Sequence, residues 1–256
     1  MLATCGVHEN GWNMVQRKSE WQSDGLTATY LEGIRGGIPG GDLQFALIRK
    51  IIECWFPEPV HVLDLGCGDG ILGRFLLDSF DGAHADFVDF SGPMLAMTTK
   101  NLRNPSRARV LNADFSDRDW MKCFGTETRF DVVVSGFAIH HQPDERKKEI
   151  YAEIFELLTA GGVFLNLEHV SSATEEGEKM HRSIFVDYLL RFHEAKGVPK
   201  TREEIESVYY DRSDKQENIL APVDLQCQWL RAIGYEDVDC FFKIFELALI
   251  GGRKAV

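Results

Sequence analysis

The stretch Val62-Leu63-Asp64-Leu65-Gly66-Cys67-Gly68-Asp69-Gly70 decides how this chain folds. Its first four residues continue an apolar run that starts at Val60, and this run predicts a buried β-strand. Three glycines follow within five positions, and a helix is predicted from about residue 71 to 79. Glycines in such a turn let the backbone bend sharply and let a ligand approach without a Cβ in the way. The stretch therefore predicts a strand, a ligand-binding turn and a helix in succession.

Predicted strands and helices alternate along most of the chain. After the strand at 60–65, further strands are predicted at 85–89, 108–111, 130–135 and 163–167. Strands separated by helices indicate a parallel sheet with right-handed crossovers. Two last strands, at 238–242 and 247–250, are joined by a link so short that only an antiparallel pair fits. The predicted fold is α/β, with a Rossmann-like, doubly wound, mostly parallel seven-stranded sheet that ends in an antiparallel hairpin.

The domain organisation follows from where this alternation starts and where it is interrupted. Residues 42–256 are predicted to form one domain, preceded by a helical and loop extension at 1–41. Residues 172–222 are polar and mostly helical, and they include several histidines and tyrosines. We expect them to form an insertion over the carboxyl edge of the sheet, where open α/β folds bind ligands. The insertion is predicted to be a substrate lid, with a rigid cap that completes the core as the alternative.

Composition limits the possible partners of the chain. The 256 residues carry a formal net charge of −12, which argues against tight non-specific binding to DNA or RNA. The densest basic run, at 146–148, is predicted to be the solvated face of a helix. No apolar run approaches the roughly 18 residues of a membrane helix, and no signal-peptide pattern is apparent. The six cysteines contain no C-x-x-C pair, so we expect free thiols and a cytoplasmic protein.

Acidic residues around the glycine turn distinguish between two classes of cofactor. Asp89 ends the second predicted strand, where a carboxylate reaches the hydroxyl pair of a ribose in dinucleotide folds. Gly68-x-Gly70-x-x-Gly73 formally matches the NAD fingerprint, but Gly66 is the glycine that directly follows the strand, so the match is out of register. Asp64 and Asp69 would repel a pyrophosphate and suit a ligand with an ammonium and a sulfonium group. The residues favour S-adenosylmethionine (SAM) over NAD.

Five stretches, in matching order and spacing, resemble the motifs of class I SAM-dependent methyltransferases. The run 62–70 is similar to motif I of that family, and Val88-Asp89-Phe90-Ser91 is similar to its second motif. Asn112-Ala113-Asp114-Phe115 is similar to the adenine-binding segment, and the run from Phe130 to Ser135 is similar to the fourth-strand motif. The run from Leu157 to Gly162 is similar to the L-x-P-G-G turn, with Ala160 at the proline position. The resemblance covers about residues 40–170 and 222–253 and implies SAM as the cofactor.

The resemblance implies a role for each matching residue of the cofactor site. Asp64, Gly66 and Gly68 would hold the methionine part of SAM, and Asp89 would accept hydrogen bonds from the ribose hydroxyls. The other implied positions are Asp114 for the adenine amino group, Phe115 beside the adenine ring, Ser135 near the sulfonium, and Cys67 and Phe90 along the cofactor. Arg35 is expected to bind a carboxylate of the cofactor or substrate, with a surface arginine in a loop as the alternative.

Candidate catalytic groups follow the fourth and fifth predicted strands, at the sheet edge that faces the cofactor. They are His140, His141, Glu168 and His169. Methyl transfer gains most of its rate from in-line placement in a dry pocket, and a base helps when the acceptor is a hydroxyl or ammonium group. Because adjacent side chains diverge, we expect only one histidine of the 140–141 pair to line the acceptor pocket. Further ligands for a metal ion are not evident beside the pair, so no metal site is predicted.

The sequence predicts a SAM-dependent methyltransferase that acts on a small molecule, as a monomer or a homodimer. One alternative rests on a second resemblance, to carboxy-SAM synthases, which make a modified SAM for wobble-uridine modification in tRNA. The stretches that carry it are Arg35 to Gly40, Ile139-His140-His141-Gln142-Pro143-Asp144, and Asn166-Leu167-Glu168-His169-Val170. The other alternative is a SAM-binding module without turnover.

Overall fold

The structure is a computed structural model, and it describes residues 38–209 and 218–256. Arg35 and nearly all of the predicted extension at 1–41 lie outside the described residues. The strands are β1 (His61–Leu65), β2 (His84–Asp89), β3 (Ala108–Asn112), β4 (Phe130–Gly136), β5 (Leu158–His169), β6 (Glu236–Ile244) and β7 (Leu247–Arg253). The α-helices are α1 (Gly41–Trp55), α2 (Ile71–Ser79), α3 (Gly92–Asn101), α4 (Asp144–Leu157), α5 (Glu175–Ala195), α6 (Arg202–Tyr209) and α7 (Val223–Ile233).

The seven strands form one sheet in the order β3-β2-β1-β4-β5-β7-β6. Strands β1 to β5 pair in parallel, and β7 is antiparallel to both β5 and β6. The chain reverses its direction of travel across the sheet between β1 and β4, and α/β sheets bind ligands outside the carboxyl ends of the strands at such a point. The predicted fold class is confirmed, including the antiparallel C-terminal hairpin and the helical insertion after β5.

The core lies on both faces of the sheet, because alternate residues of each central strand point to opposite faces. Leu63 and Val133 belong to a cluster that includes apolar residues of α4 and α7. Their neighbours Val62 and Val132 belong to a second cluster with residues of α1 and α2. A strand that is buried on both faces reads as a continuous apolar run, which is why β1 and β4 could be predicted from sequence.

The turn that resembles L-x-P-G-G, at 157–162, spans the end of α4 and the start of β5. The helix ends at Leu157, and Leu158 already has extended backbone angles of φ −74° and ψ 142°. Leu158 pairs with Phe130, and the register between the strands then shifts before Val163. Gly161 has a left-handed φ of +74°, which places the turn inside β5 rather than before it.

Helices α5 and α6 occupy the predicted insertion and share a small apolar cluster of Val186, Leu189 and Ile205. The first half of α5 reaches the carboxyl edge of the sheet, where His181 contacts Glu246 of the β6–β7 turn at 3.6 Å. The chain then returns along 218–222, where the Ile219 amide donates to the His140 carbonyl at 2.9 Å. Among the described helices, none combines the length and apolar character that a membrane span requires.

Candidate functional site

Asp64, the fourth residue of β1, lies beneath the glycine turn. Its side chain is buried, and Oδ2 accepts a hydrogen bond of 2.8 Å from the Gly73 amide in the first turns of α2. Gly73 itself packs so closely on Phe87 that an added Cβ would lie 2.3 Å from the ring. The Asp64 carboxylate therefore fixes the start of α2 against the sheet and adds negative charge below the turn.

Gly66 packs the glycine turn closely against the segment that follows β4. Its φ is +68°, and a Cβ added there would lie 2.3 Å from the Ala138 Cβ and 3.2 Å from the Phe115 ring. The amides of Gly66 and Cys67 both donate to the Val88 carbonyl, at 2.8 and 3.0 Å. A side chain at position 66 would thus force apart the turn, the β4 segment and the segment after β3.

Replacing Gly66 with alanine is expected to lower the free energy of unfolding by about 2–5 kcal/mol, from left-handed strain plus overpacking against Ala138. Denaturant unfolding measures this change. Gly197→Ala is the matched control, because its φ is +73° and an added Cβ meets nothing within 4 Å. The control should show only the strain, about 1–2 kcal/mol. Equal losses in the two variants would contradict the close packing at Gly66.

Asp89 connects the turn to the start of α3. Its Oδ2 accepts from the Gly68 amide at 2.9 Å, and its Oδ1 accepts from the Ser91 amide at 2.8 Å. Burial raises the pKa of this carboxyl group, and the hydrogen bonds from Ser91, Gly68 and Phe90 partly offset that rise. The carboxylate lies at the carboxyl end of β2 with its oxygens directed at the turn, which is the position expected for a ribose-binding residue.

The residues predicted to surround the adenine ring come to the same edge of the sheet. Phe115 is buried beside Gly66, whereas Asp114 is exposed and accepts from the Ser116 amide at 2.8 Å. The Phe90 carbonyl accepts from Asn112 Nδ2 at 3.1 Å. Strands β2 and β3 thus present an aromatic surface and an accessible carboxylate next to the turn.

Arg146 supports this surface, although it was predicted to lie on a solvated helix face. Its Nε and Nη2 donate to the Phe115 carbonyl at 2.9 and 2.7 Å, and its guanidinium pairs with Glu153 at 2.6 Å. Lys147 is also buried, and its ammonium contacts Asp144 and the Ile219 carbonyl. The prediction of a solvated face at 146–148 is therefore wrong for the first two residues of the run.

Ser135 and Cys67 are enclosed by the sheet and the turn. Ser135 has no exposed surface, and its hydroxyl donates to the Leu65 carbonyl at 2.8 Å, so this side chain links β4 to β1. Burial raises the pKa of the Cys67 thiol well above its ordinary value, and the charges of Asp64 and Asp89 raise it further. The thiol is accordingly protonated and unreactive at neutral pH.

His140 and Glu168 form a buried pair at the ends of β4 and β5. His140 Nδ1 lies 2.7 Å from Glu168 Oε1, which also accepts from the His169 amide at 2.9 Å. Burial raises the pKa of Glu168 to about 7. Burial also lowers the pKa of His140 well below its ordinary value, and positive charge at His169 and Lys147 lowers it further. His140 is therefore a neutral imidazole, held by Glu168 on one side and by a hydrogen bond with Asn218.

His141 and His169 are the more accessible members of the histidine group. The His141 ring lies against His140, with ring centroids 4.0 Å apart, and is only partly buried. The ring of His169 meets His140 edge-on at 5.6 Å, and its side chain is 22% exposed. The two adjacent histidines thus differ in burial, with His140 packed inside and His141 partly exposed, and which of them lines an acceptor pocket stays a prediction.

A second carboxylate lies beside this group, and sequence reasoning missed it. Glu246 Oε2 lies 2.9 Å from His169 Nε2 and 3.6 Å from His181 Nε2. The other oxygen of Glu246 accepts a hydrogen bond of 2.7 Å from the Ser172 hydroxyl. Three parts of the chain meet here: the end of β5, the β6–β7 turn and helix α5.

The comparison with known families decides the identity of this site. Residues 62–162, which contain the glycine turn, Asp89, Asp114 and β4, match a family described as a methyltransferase domain. This segment carries four of the five stretches that resemble class I SAM-dependent methyltransferases in full and ends with the fifth, so the match agrees with that resemblance. A methyltransferase domain uses SAM, so the class of cofactor predicted from the acidic turn is confirmed.

Similar proteins include methyltransferases and enzymes of related chemistry. A demethylmenaquinone methyltransferase of Leptospira interrogans is 36% identical over 122 residues, which is 48% of this chain and 47% of that protein. The chain thus aligns with about half the length of this relative. A carboxy-S-adenosyl-L-methionine synthase of Shewanella amazonensis is 24% identical over 255 residues, covering 97% of this chain and 95% of the synthase. An O-methyltransferase family protein of Burkholderia thailandensis shares the fold, with a TM-score of 0.57 and 14% identity over 84% of this chain and 58% of that one.

Most of the residues predicted for the SAM site lie at one edge of the sheet. Gly66, Gly68, Asp89, Phe90, Asp114 and Phe115 line the carboxyl edge of β1 to β3. The buried residues Asp64, Cys67 and Ser135 lie behind this edge and support it. An added Cβ at Gly68 would meet only Met94 Sδ, at 3.9 Å, so a ligand can approach the backbone there. The carboxylates and the open glycine suit a cationic, nucleoside-bearing molecule such as SAM.

Proposed function

We propose that this chain transfers the methyl group of SAM to a small-molecule acceptor at the carboxyl edge of β4 and β5. The observation that carries the proposal is the tight contact between Gly66 and Ala138, which would place an added Cβ 2.3 Å away. This contact joins the SAM-binding turn directly to the segment that bears His140 and His141. The two halves of a transfer reaction would therefore lie side by side.

Each side chain at this edge has a distinct part in the proposed reaction. Bound SAM supplies an electrophilic methyl group on a sulfonium. Asp89 holds the ribose and so fixes the position of the cofactor. His141 would accept the proton that a hydroxyl acceptor loses as its oxygen bonds to the methyl carbon and the bond from that carbon to the sulfonium sulfur breaks. An ammonium acceptor would give its proton to His141 first, because only then does its nitrogen have a lone pair for the same displacement. Glu168 and His140 position this histidine and exclude water from its inner side.

Further observations support a small acceptor and a closed pocket. The net charge of −12 disfavours a nucleic-acid substrate. Helix α5 meets the same edge through His181, and α6 packs on α5, so we propose that the two helices act as a lid that excludes water during transfer. The described cysteines are free thiols, in keeping with a reaction in the cytoplasm.

The proposal is tested by native mass spectrometry of the purified chain, before and after addition of SAM and a fractionated extract of small metabolites. We expect a bound mass of SAM or S-adenosylhomocysteine, and an extract fraction that gains one methyl group as the homocysteine product accumulates. Binding of SAM without product in any fraction would instead support a module without turnover.

Carboxy-SAM synthesis is the second candidate, because the Shewanella amazonensis synthase aligns over 97% of this chain. The same mass measurement separates the two functions. A synthase would retain a cofactor heavier than SAM by one carboxylate group and would need no methyl acceptor. A methyltransferase would retain unmodified SAM or its homocysteine product. The Arg35 prediction would gain support from the first result, since a carboxylate on the cofactor calls for a cation.

A further inference from the structure

His169, His181 and Glu246 form a compact cluster beside the proposed acceptor pocket. One nitrogen of each histidine and one oxygen of Glu246 lie within 4.8 Å of one another. His169 ends β5, His181 lies in the second turn of α5, and Glu246 occupies the turn between β6 and β7. The cluster thus combines donors from three separate elements at one point.

The surroundings of the cluster resemble those of an ion-binding site. His181 and Glu246 are each 6% exposed, so the carboxylate is largely removed from bulk water. The Ser172 hydroxyl donates to the outer oxygen Oε1 of Glu246 at 2.7 Å and leaves Oε2 directed at the two histidines. Hydrogen bonds of this kind commonly orient the carboxylate ligands of metal ions.

The distances are close to those that a tetrahedral ion requires. Metal–nitrogen and metal–oxygen bonds of about 2.0–2.1 Å put neighbouring ligand atoms about 3.3 Å apart. Glu246 Oε2 lies 2.9 Å from His169 Nε2 and 3.6 Å from His181 Nε2, on either side of that value. The two histidine nitrogens lie within 4.8 Å of each other, so rotations that bring the two rings closer would place all three donors at bonding distance.

We propose that His169, His181 and Glu246 bind one divalent transition-metal ion, with Zn²⁺ as the favoured ion. Two imidazole nitrogens with one carboxylate oxygen form a donor set that zinc uses in proteins, and that open-sited iron also uses. This site goes beyond methyl transfer and does not depend on it. It is also distinct from a metal site at His140 and His141, for which the sequence shows no further ligands.

The ion would have two consequences for the molecule. It would fasten helix α5 of the insertion to the sheet edge, because His181 is the ligand that α5 supplies. Three protein ligands leave a fourth position, which zinc sites of this kind fill with water or a substrate oxygen. The ion would thereby place an oxygen-binding position next to the pocket that contains His141.

The test is metal binding by the tag-free full chain, after chelation and exchange into metal-free buffer. Titration with Zn²⁺, and with Co²⁺ as a visible probe, should show one ion per chain. His181→Ala and Glu246→Gln remove or weaken a ligand and should lower the affinity for Zn²⁺ more than 100-fold. Ser172→Ala removes only the hydrogen bond that orients Glu246, so it should lower the affinity by roughly 10–100-fold. His193→Ala is the matched control, because this buried histidine lies on the same helix but outside the cluster. Equal affinity in wild type, His181→Ala and His193→Ala would overturn the proposal.

Thermal unfolding gives a second readout that a variant with reduced stability cannot imitate. Zn²⁺ should raise the Tm of the wild type and of His193→Ala, because an ion that binds only the folded state stabilises it. It should leave the Tm of His181→Ala unchanged, whatever the starting value of that variant. A Zn²⁺ shift of the same size in all three proteins would assign the ion to another place and refute this site.

Discussion

Replacing Asp89 with alanine is expected to weaken SAM binding by roughly 100- to 10,000-fold. In its proposed role the carboxylate would accept two hydrogen bonds from ribose hydroxyls, and bonds to a charged group contribute about 1.5–3 kcal/mol each. The variant also removes the acceptors of the Gly68 and Ser91 amides. The loss of the ribose bonds and the loosening of the glycine turn both weaken SAM binding, whereas only the second lowers the stability of the fold. The loss of SAM affinity should therefore exceed the loss of folding free energy.

Isothermal titration with SAM measures this loss directly. Asp81→Ala is the matched control, because it removes an exposed carboxylate just before the same strand and should leave the affinity unchanged. Asp89→Asn separates two contributions, since it keeps one oxygen acceptor and loses the charge. We expect its affinity to fall between those of the wild type and the alanine variant. An Asp89→Ala protein that binds SAM within threefold of the wild type would remove Asp89 from the cofactor site.

Features that depend on neighbouring residues were predictable from the sequence. The run 62–70 has its apolar strand, its glycines and the start of α2 within one short stretch, and all three form as predicted. The antiparallel pairing of β6 and β7 follows from a link too short for a parallel crossover. Local chain geometry alone decides both outcomes, so no knowledge of the distant contacts was needed.

Features that depend on distant residues were not predictable in the same way. His140 and Glu168 were each predicted as candidates, but their contact joins positions 28 apart and depends on the parallel pairing of β4 with β5. Glu246 lies 77 positions from His169 and stands in an ordinary turn, so no spacing pattern pointed to it. Such clusters become visible only when the sheet order is known.

The buried cations of α4 show a second reason for failure. A basic run flanked by acidic residues is usually solvated, and the sequence offered no contrary sign at 146–148. Arg146 and Lys147 are buried because carbonyl groups of Phe115 and Ile219, in two distant loops, accept their hydrogen bonds. The sequence of the helix identifies these side chains as charged, but it carries no sign of the carbonyl groups in distant loops that accept their hydrogen bonds.

Replacing His141 with alanine is expected to lower the turnover number by roughly 100- to 10,000-fold, the usual contribution of a general base. The affinity for SAM should stay near that of the wild type, because most of the residues proposed to hold the cofactor lie at the ends of β1 to β3. His141 is the accessible member of the adjacent pair, whereas His140 is enclosed by Glu168 and Asn218. The change is measured as release of S-adenosylhomocysteine with the acceptor found in the metabolite screen.

Two comparisons decide whether His141 acts on the acceptor or only fills space. His84→Ala removes an exposed histidine at the opposite edge of the sheet, at the start of β2, and should leave turnover unchanged. Added imidazole should restore part of the turnover of His141→Ala, since a small base can enter the space that the side chain leaves. It should not restore His140→Ala, because the buried pair with Glu168 positions the pocket and does not carry the proton. Full turnover by His141→Ala would show that the acceptor loses its proton elsewhere, and the pocket assignment would then pass to His169.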